Sequence, residues 1–160
     1  MGSEFRIECG LPDADATHAL GRAIGARLES GDGVALVGDL GAGKTTLTRG
    51  IAEGLGIDDP GAVTSPTYLV VVEHRGPVPL VHVDAYLPEK TRGFLLDGGV
   101  DYLGELGGVV VVEWADRIAD LMPEDTLRVV LAPSPEGGRV AQLCGGAKFE
   151  WVPDLARTLE

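Results

Sequence analysis

The run Gly38-Asp39-Leu40-Gly41-Ala42-Gly43-Lys44-Thr45 meets the spacing G-x-x-x-x-G-K-[ST] at every position. Its chemistry is the cradling of a polyphosphate. Glycines let the backbone curl so that successive N–H groups point inward at an anion. A helix opening near Gly43 adds the positive end of its dipole. Lys44 can then reach the β- and γ-phosphate oxygens, and the Thr45 hydroxyl can ligate Mg2+. The phosphate-binding set read from this segment is Gly38, Asp39, Leu40, Gly41, Ala42, Gly43, Lys44, Thr45 and Thr46, and the ligand it implies is ATP or another nucleoside triphosphate.

Such a site needs a carboxylate for the metal shell and a group that orients the attacking water. Two apolar runs end in acids, Leu80-Val81-His82-Val83-Asp84 and Val109-Val110-Val111-Val112-Glu113. Ligands of open parallel sheets sit at the carboxyl ends of the strands, so both acids can face the phosphate loop. Spacing alone does not decide which of Asp84 and Glu113 holds the metal. His82 and Asp84 are two apart and share a strand face; His82 either supports the site or is a hydrogen-bonded core histidine. Trp114 packs beneath the site. Val63-Thr64-Ser65-Pro66-Thr67-Tyr68 is either a loop whose hydroxyls sense a γ-phosphate or a polar turn fixed by Pro66.

These residues must be positioned by a small number of elements. A strand-like segment from Arg6 to Cys9 stops at Leu11-Pro12-Asp13, where Asp13 or Asp15 can cap a helix. Ala16, Leu20, Ile24 and Leu28 give that helix one apolar face, and Ser30-Gly31-Asp32-Gly33 ends it. Val34 to Val37 reads as a strand covered on both faces, followed by a helix from about Gly43 to Leu55 with Leu47, Ile51 and Leu55 inward. Strands are expected from Tyr68 to Glu73, Leu80 to Asp84 and Val109 to Glu113, with short helical pieces between Leu87 and Gly107. Leu127–Leu131 and Arg139–Leu143 form a hairpin around Ser134-Pro135-Glu136-Gly137-Gly138, and a short helix closes the chain from Trp151 to Leu159. The fold class is α/β, a P-loop NTPase-like three-layer fold with a mixed, mostly parallel sheet. Residues 6–160 read as one domain, and Met1 to Phe5 resemble a cloning-site linker.

The bulk numbers narrow the partners. A net charge of −12, from 13 Lys+Arg against 25 Asp+Glu, argues against tight independent binding to nucleic acid, which rests on cations facing phosphates. Cys9 and Cys144 lack metal-ligand spacing and read as free thiols of a reducing, cytoplasmic compartment. His18, His74 and His82 are too scattered for a metal cluster. No apolar run approaches the roughly 20 residues of a membrane helix, and no apolar stretch after Met1 suggests a secretory signal.

Together the motifs resemble the TsaE (YjeE) family, the ATPase component of bacterial tRNA threonylcarbamoyladenosine (t6A) synthesis. The resemblance rests on the Gly38–Thr45 loop, Ser65-Pro-Thr-Tyr68, His82-Val-Asp84-Ala-Tyr86, Val112-Glu113-Trp114 and Thr17-His-Ala-Leu20-Gly21, in the family's order from about Thr17 to Pro133. It implies that Lys44 and Thr45 bind phosphate and Mg2+ and that Glu113 completes the metal shell. Asp84 would be the acid required for hydrolysis, Ser65 and Thr67 would belong to a mobile loop over the γ-phosphate, and Thr17 would lie near the base. It also implies TsaB- and TsaD-type partners that carry out the transfer to tRNAs reading ANN codons, with tRNA met only through them. ATP hydrolysis would reset that assembly. One departure stands out: the family follows Asp-x-Tyr with Arg, whereas Tyr86 is followed by Leu87-Pro88, and Arg92 is the candidate substitute.

Two other functions share the fold. A small-molecule kinase needs an arginine-bearing lid, and Leu87 to Gly107 offers only Lys90 and Arg92. A regulatory GTPase needs a base-reading Asn-Lys-x-Asp, which the sequence lacks.

Overall fold

The computed structural model describes residues 4–39, 41–65 and 70–159. Seven strands and five α-helices alternate along it: β1 (Phe5–Leu11), α1 (Ala14–Gly25), β2 (Gly33–Val37), α2 (Lys44–Leu55), β3 (Val71–His74), β4 (Leu80–Asp84), α3 (Pro88–Phe94), α4 (Val100–Leu106), β5 (Val109–Glu113), β6 (Leu127–Pro133), β7 (Arg139–Gly145) and α5 (Val152–Thr158). The sheet order is β1-β7-β6-β2-β5-β4-β3. The central strands β6, β2, β5 and β4 run parallel, and β7, β1 and β3 are antiparallel to their neighbours. This is the expected α/β, P-loop NTPase-like architecture with a mixed sheet.

The sheet separates two apolar layers. On one face α1, α2 and α5 bury Leu20, Ile24, Leu47, Ile51 and Val152 against Val34, Leu36, Val111 and Val129. On the other, Ala35, Val81, Val83 and Val112 meet Ile118 and the α3–α4 segment. The uninterrupted apolar strands follow from this double coverage, since both faces of β2, β4 and β5 lie away from water.

Helices α1 and α2 pack backbone to backbone. A Cβ at Gly21 would lie 2.3 Å from the Leu47 carbonyl oxygen, one at Gly25 2.2 Å from that of Ile51, one at Gly50 2.3 Å from that of His18, and one at Gly54 2.2 Å from that of Arg22. Four glycines on facing sides therefore permit a contact that no other residue type allows.

Several boundaries differ from the sequence reading. β1 begins at Phe5, which pairs with Gly145, so strand pairing takes in a residue that resembles part of a cloning linker. Asp13 caps α1 as expected, its side chain accepting from the Ala16 N–H at 2.8 Å. That helix ends at Gly25 rather than at Ser30–Gly33, because Leu28 continues inward through a turn and not a helix. β3 runs from Val71 to His74; Tyr68 and Leu69, assigned to it from sequence, lie outside the described residues. Between α3 and α4 a π-helical stretch, Leu95–Gly99, breaks at Gly98 (φ 94°). No disulfide joins Cys9 and Cys144. Among the described residues no helix is long and apolar enough to cross a membrane.

Candidate functional site

β2 delivers the chain to Gly38, and α2 carries it away from Lys44. Gly41 and Gly43 take φ of 78° and 102°, a region open to glycine at little cost. A Cβ at Gly38 would meet the Leu131 carbonyl at 2.9 Å. The Ala42 N–H donates to the Asp39 carbonyl at 3.0 Å, tightening the turn. The first N–H groups of α2 remain available to an anion, as at any helix start.

Lys44 is only 5% exposed. Its Nζ donates to the Gly38 carbonyl and, at 2.9 Å, to that of Asp39, and it lies 3.9 Å from the centroid of the Trp114 ring. Burial lowers its pKa below the ordinary lysine value; Glu113, Asp84, Asp39 and Asp116 pull in the opposite direction.

The two strand-end acids stand opposite each other. Parallel pairing of β4 with β5 sets Asp84 beside Glu113, and β2 with β5 sets Leu36 beside Glu113. Both acids are 2% exposed. Asp84 Oδ1 accepts from the Tyr86 N–H at 2.7 Å, Ser65 Oγ donates to its Oδ2 at 3.4 Å, and the Asp84 carbonyl accepts from Thr91 Oγ1 at 2.7 Å. Glu113 Oε2 pairs with Nε2 of the fully buried His82. The oxygen donors are a hydroxyl, Thr45 at the start of α2, and carboxylates. Such a set suits a hard cation that takes the rest of its shell from water and phosphate. Among the described residues no cluster of three or more His, Cys, Asp or Glu side chains forms a self-sufficient metal cage.

Backbone strain concentrates here. Val70 (φ 63°) and Trp114 (φ 59°) are the positive-φ residues other than glycine among those described. Trp114 directly follows Glu113, and the Val70 carbonyl accepts from the Asp84 N–H at 2.8 Å. A β-branched residue in that region is a true outlier, and such strain gathers at functional sites.

Beside the phosphate loop lies a cavity of about 270 Å3, lined by Leu11, Asp13, Thr17, Gly41, Gly43, Thr46, Gly138 and Arg139. Thr17 is 3% exposed, and its methyl would be 3.5 Å from a Cβ placed on Gly43. Gly38, Asp39, Gly41, Ala42, Gly43, Lys44, Thr45, Thr46 and Thr17 thus converge at one end of the sheet, and Ser65 reaches Asp84. Leu40 and Thr67 lie outside the described residues.

Two arginines escaped the sequence reading. Arg139, at the start of β7, donates to the Gly41 carbonyl at 3.0 Å and walls the cavity. Only the adjacent Gly137-Gly138 turn marks it in the sequence, and that turn carries no phosphate signal. Arg117 donates to the Tyr86 carbonyl and lies 4.9 Å from the Tyr86 ring centroid and 4.5 Å from that of Trp114. Arg92, the sequence candidate for the arginine missing after Tyr86, instead pairs with Asp120 at 2.6 Å. Pro88 opens α3, and the helix carries Arg92 toward the 115–121 segment.

A buried strand, a glycine loop, a helix and acids on two neighbouring parallel strands define a P-loop α/β protein. A solved structure of Bacillus subtilis YdiB superposes with a TM-score of 0.72 at 29% identity, covering 100% of this chain and 99% of that one. The family model described as "Threonylcarbamoyl adenosine biosynthesis protein TsaE" matches residues 11–141. The "tRNA threonylcarbamoyladenosine biosynthesis protein TsaE" of Streptomyces coelicolor is 46% identical over 121 residues, 69% of this chain and 74% of the relative. Its counterpart in Bacillus subtilis is 41% identical over 118 residues, 73% and 72% of the two chains. The chain belongs to the TsaE family.

Proposed function

We propose that this chain is a Mg2+-dependent ATPase that supports t6A modification of ANN-decoding tRNAs in the cytoplasm, working with TsaB- and TsaD-type partners. The observation that carries the reading is the convergence of Lys44 with Asp84 and Glu113, one cation and two buried acids, where β2 turns into α2.

In this reading the N–H groups of Gly41 to Thr45 and the Lys44 ammonium hold the β- and γ-phosphates. The cavity between Thr17 and Arg139 takes the nucleoside. Thr45 and Glu113 hold Mg2+, which when bound supplies charge neutralisation at the phosphate oxygens. Asp84 accepts a hydrogen bond from the attacking water and orients it toward the γ-phosphate. Ser65 is already hydrogen-bonded to the same acid. A chain with net charge −12 leaves the RNA to more basic partners. The kinase alternative gains nothing, since Arg92 is committed to Asp120.

Phosphate release from Mg2+–ATP, measured for the chain alone and with the TsaB–TsaD pair, tests the proposal. Slow release alone and a changed rate with the pair are expected. Absence of ATP binding, or no association with the pair in any nucleotide state, overturns it.

A further inference from the structure

His82 lies at the centre of β4, wholly buried, and its Nε2 is hydrogen-bonded to Glu113 Oε2 on the adjacent strand. Its other ring nitrogen, Nδ1, is buried with no hydrogen-bond partner among the described residues. Among the described residues the ring thus makes one hydrogen bond, with Nε2–H donating and Glu113 Oε2 accepting. His74, on the neighbouring strand, likewise leaves Nε2 buried with no hydrogen-bond partner among the described residues.

A carboxylate 2% exposed is cut off from water and needs a hydrogen-bond donor inside the protein. We propose that His82 is a positioning residue for Glu113: its Nε2–H fixes Oε2 and leaves Oε1 as the oxygen offered to the cation. The register explains the reach. Asp84 sits directly beside Glu113, while His82, two residues earlier on the same face, approaches from below and does not compete for the open side of the site. The inference rests on the metal reading above and adds to it a residue that touches neither nucleotide nor cation.

The test is the Mg2+ concentration that half-saturates the thermal stabilisation of the chain by a non-hydrolysable ATP analogue, with the EDTA baseline measured separately. Loss of an outer partner of a metal ligand typically lowers metal affinity about 10- to 100-fold. His82→Leu is expected to raise the half-saturating concentration by at least that lower factor, read against the variant's own EDTA baseline. His82→Gln, whose amide N–H can occupy the place of Nε2, is expected to stay within about threefold of the original, whereas the shorter His82→Asn is expected to follow Leu. If Leu fails to fold, the Gln–Asn contrast decides. Equal Mg2+ dependence in all variants overturns the role of His82 and leaves the metal reading standing. A starting protein whose analogue complex gains nothing from Mg2+ overturns both.

Discussion

The Lys44 ammonium rests 3.9 Å from the centre of the Trp114 ring while donating to the carbonyls of its own loop. A triphosphate offers that ammonium stronger, charged acceptors. Binding ATP should therefore draw it off the indole and change Trp114 emission, read in a Trp151→Phe background. Lys44→Met should abolish the change and weaken ATP by about 100-fold, the loss expected when one charged hydrogen-bonding group is removed. Unaltered affinity in that variant would exclude the loop as the phosphate site.

The same lysine sets a pH dependence. Its pKa in the folded chain lies below the ordinary value of 10.5 because of burial, so alkali discharges it earlier than an exposed lysine. Affinity for ATP should begin to fall below pH 10.5. Over the interval between the lowered value and 10.5 the unfolded chain binds more protons than the folded one, so nucleotide-free stability should rise with pH there. Lys44→Met should flatten both trends; calorimetric titration and thermal melts across that range provide the check.

Asp84→Asn should retain ATP and lose turnover. The shape of the site survives, since the amide oxygen still accepts from the Tyr86 N–H. The carboxylate proposed to orient water does not, and such groups contribute typically about 10²- to 10⁴-fold. Single-turnover phosphate release separates the two effects. Ser65→Ala removes a 3.4 Å hydrogen bond from a neutral hydroxyl to Asp84, leaves the carboxylate in place, and should cost far less.

Arg139 makes a separable contribution. Arg139→Ala removes the brace on the Gly41 carbonyl and one wall of the neighbouring cavity. ATP affinity should drop by about 5- to 10-fold, in line with roughly 1–1.5 kcal/mol for a hydrogen bond. Inorganic tripolyphosphate, which leaves that cavity empty, should lose less. Competition titrations with both ligands measure the difference.

The phosphate loop and the two acids were legible because their chemistry is local: a glycine spacing, a buried strand before it, and apolar runs that end in Asp84 and Glu113. Their meeting was legible only as a rule about parallel sheets, and the β4–β5 register supplies it. Arg139 was not legible, because it comes from a hairpin about a hundred residues beyond the loop. Nor was the pairing of Gly21 and Gly25 with Gly50 and Gly54. Each glycine alone reads as a weak helix position, and only the packing of two helices gives it a purpose. Arg92 was misdirected for a similar reason: its sequence distance from Tyr86 was short, but α3 turns it toward Asp120.

The glycine contact is also open to a direct check. Gly50→Ala places a methyl 2.3 Å from the His18 carbonyl, which the facing backbone cannot avoid by rotating a side chain. Overpacking of this kind costs about 1–3 kcal/mol, occasionally more, or a melting temperature lower by about 2–4 °C per kcal/mol for a chain of this size. Gly93→Ala, where a Cβ meets nothing within 4 Å, is the matched control.

Two helices joined through their main chains cannot slide without breaking several contacts together. The wall that carries Thr17 and the helix that begins at Lys44 therefore travel as one rigid block. Any hinge that opens the site must lie on its other side, where Val70 and Trp114 hold strained backbone next to Asp84 and Glu113. Under the proposed function, the pocket divides into a fixed jaw that would grip the nucleotide and an opposing edge that would register whether the γ-phosphate is still there.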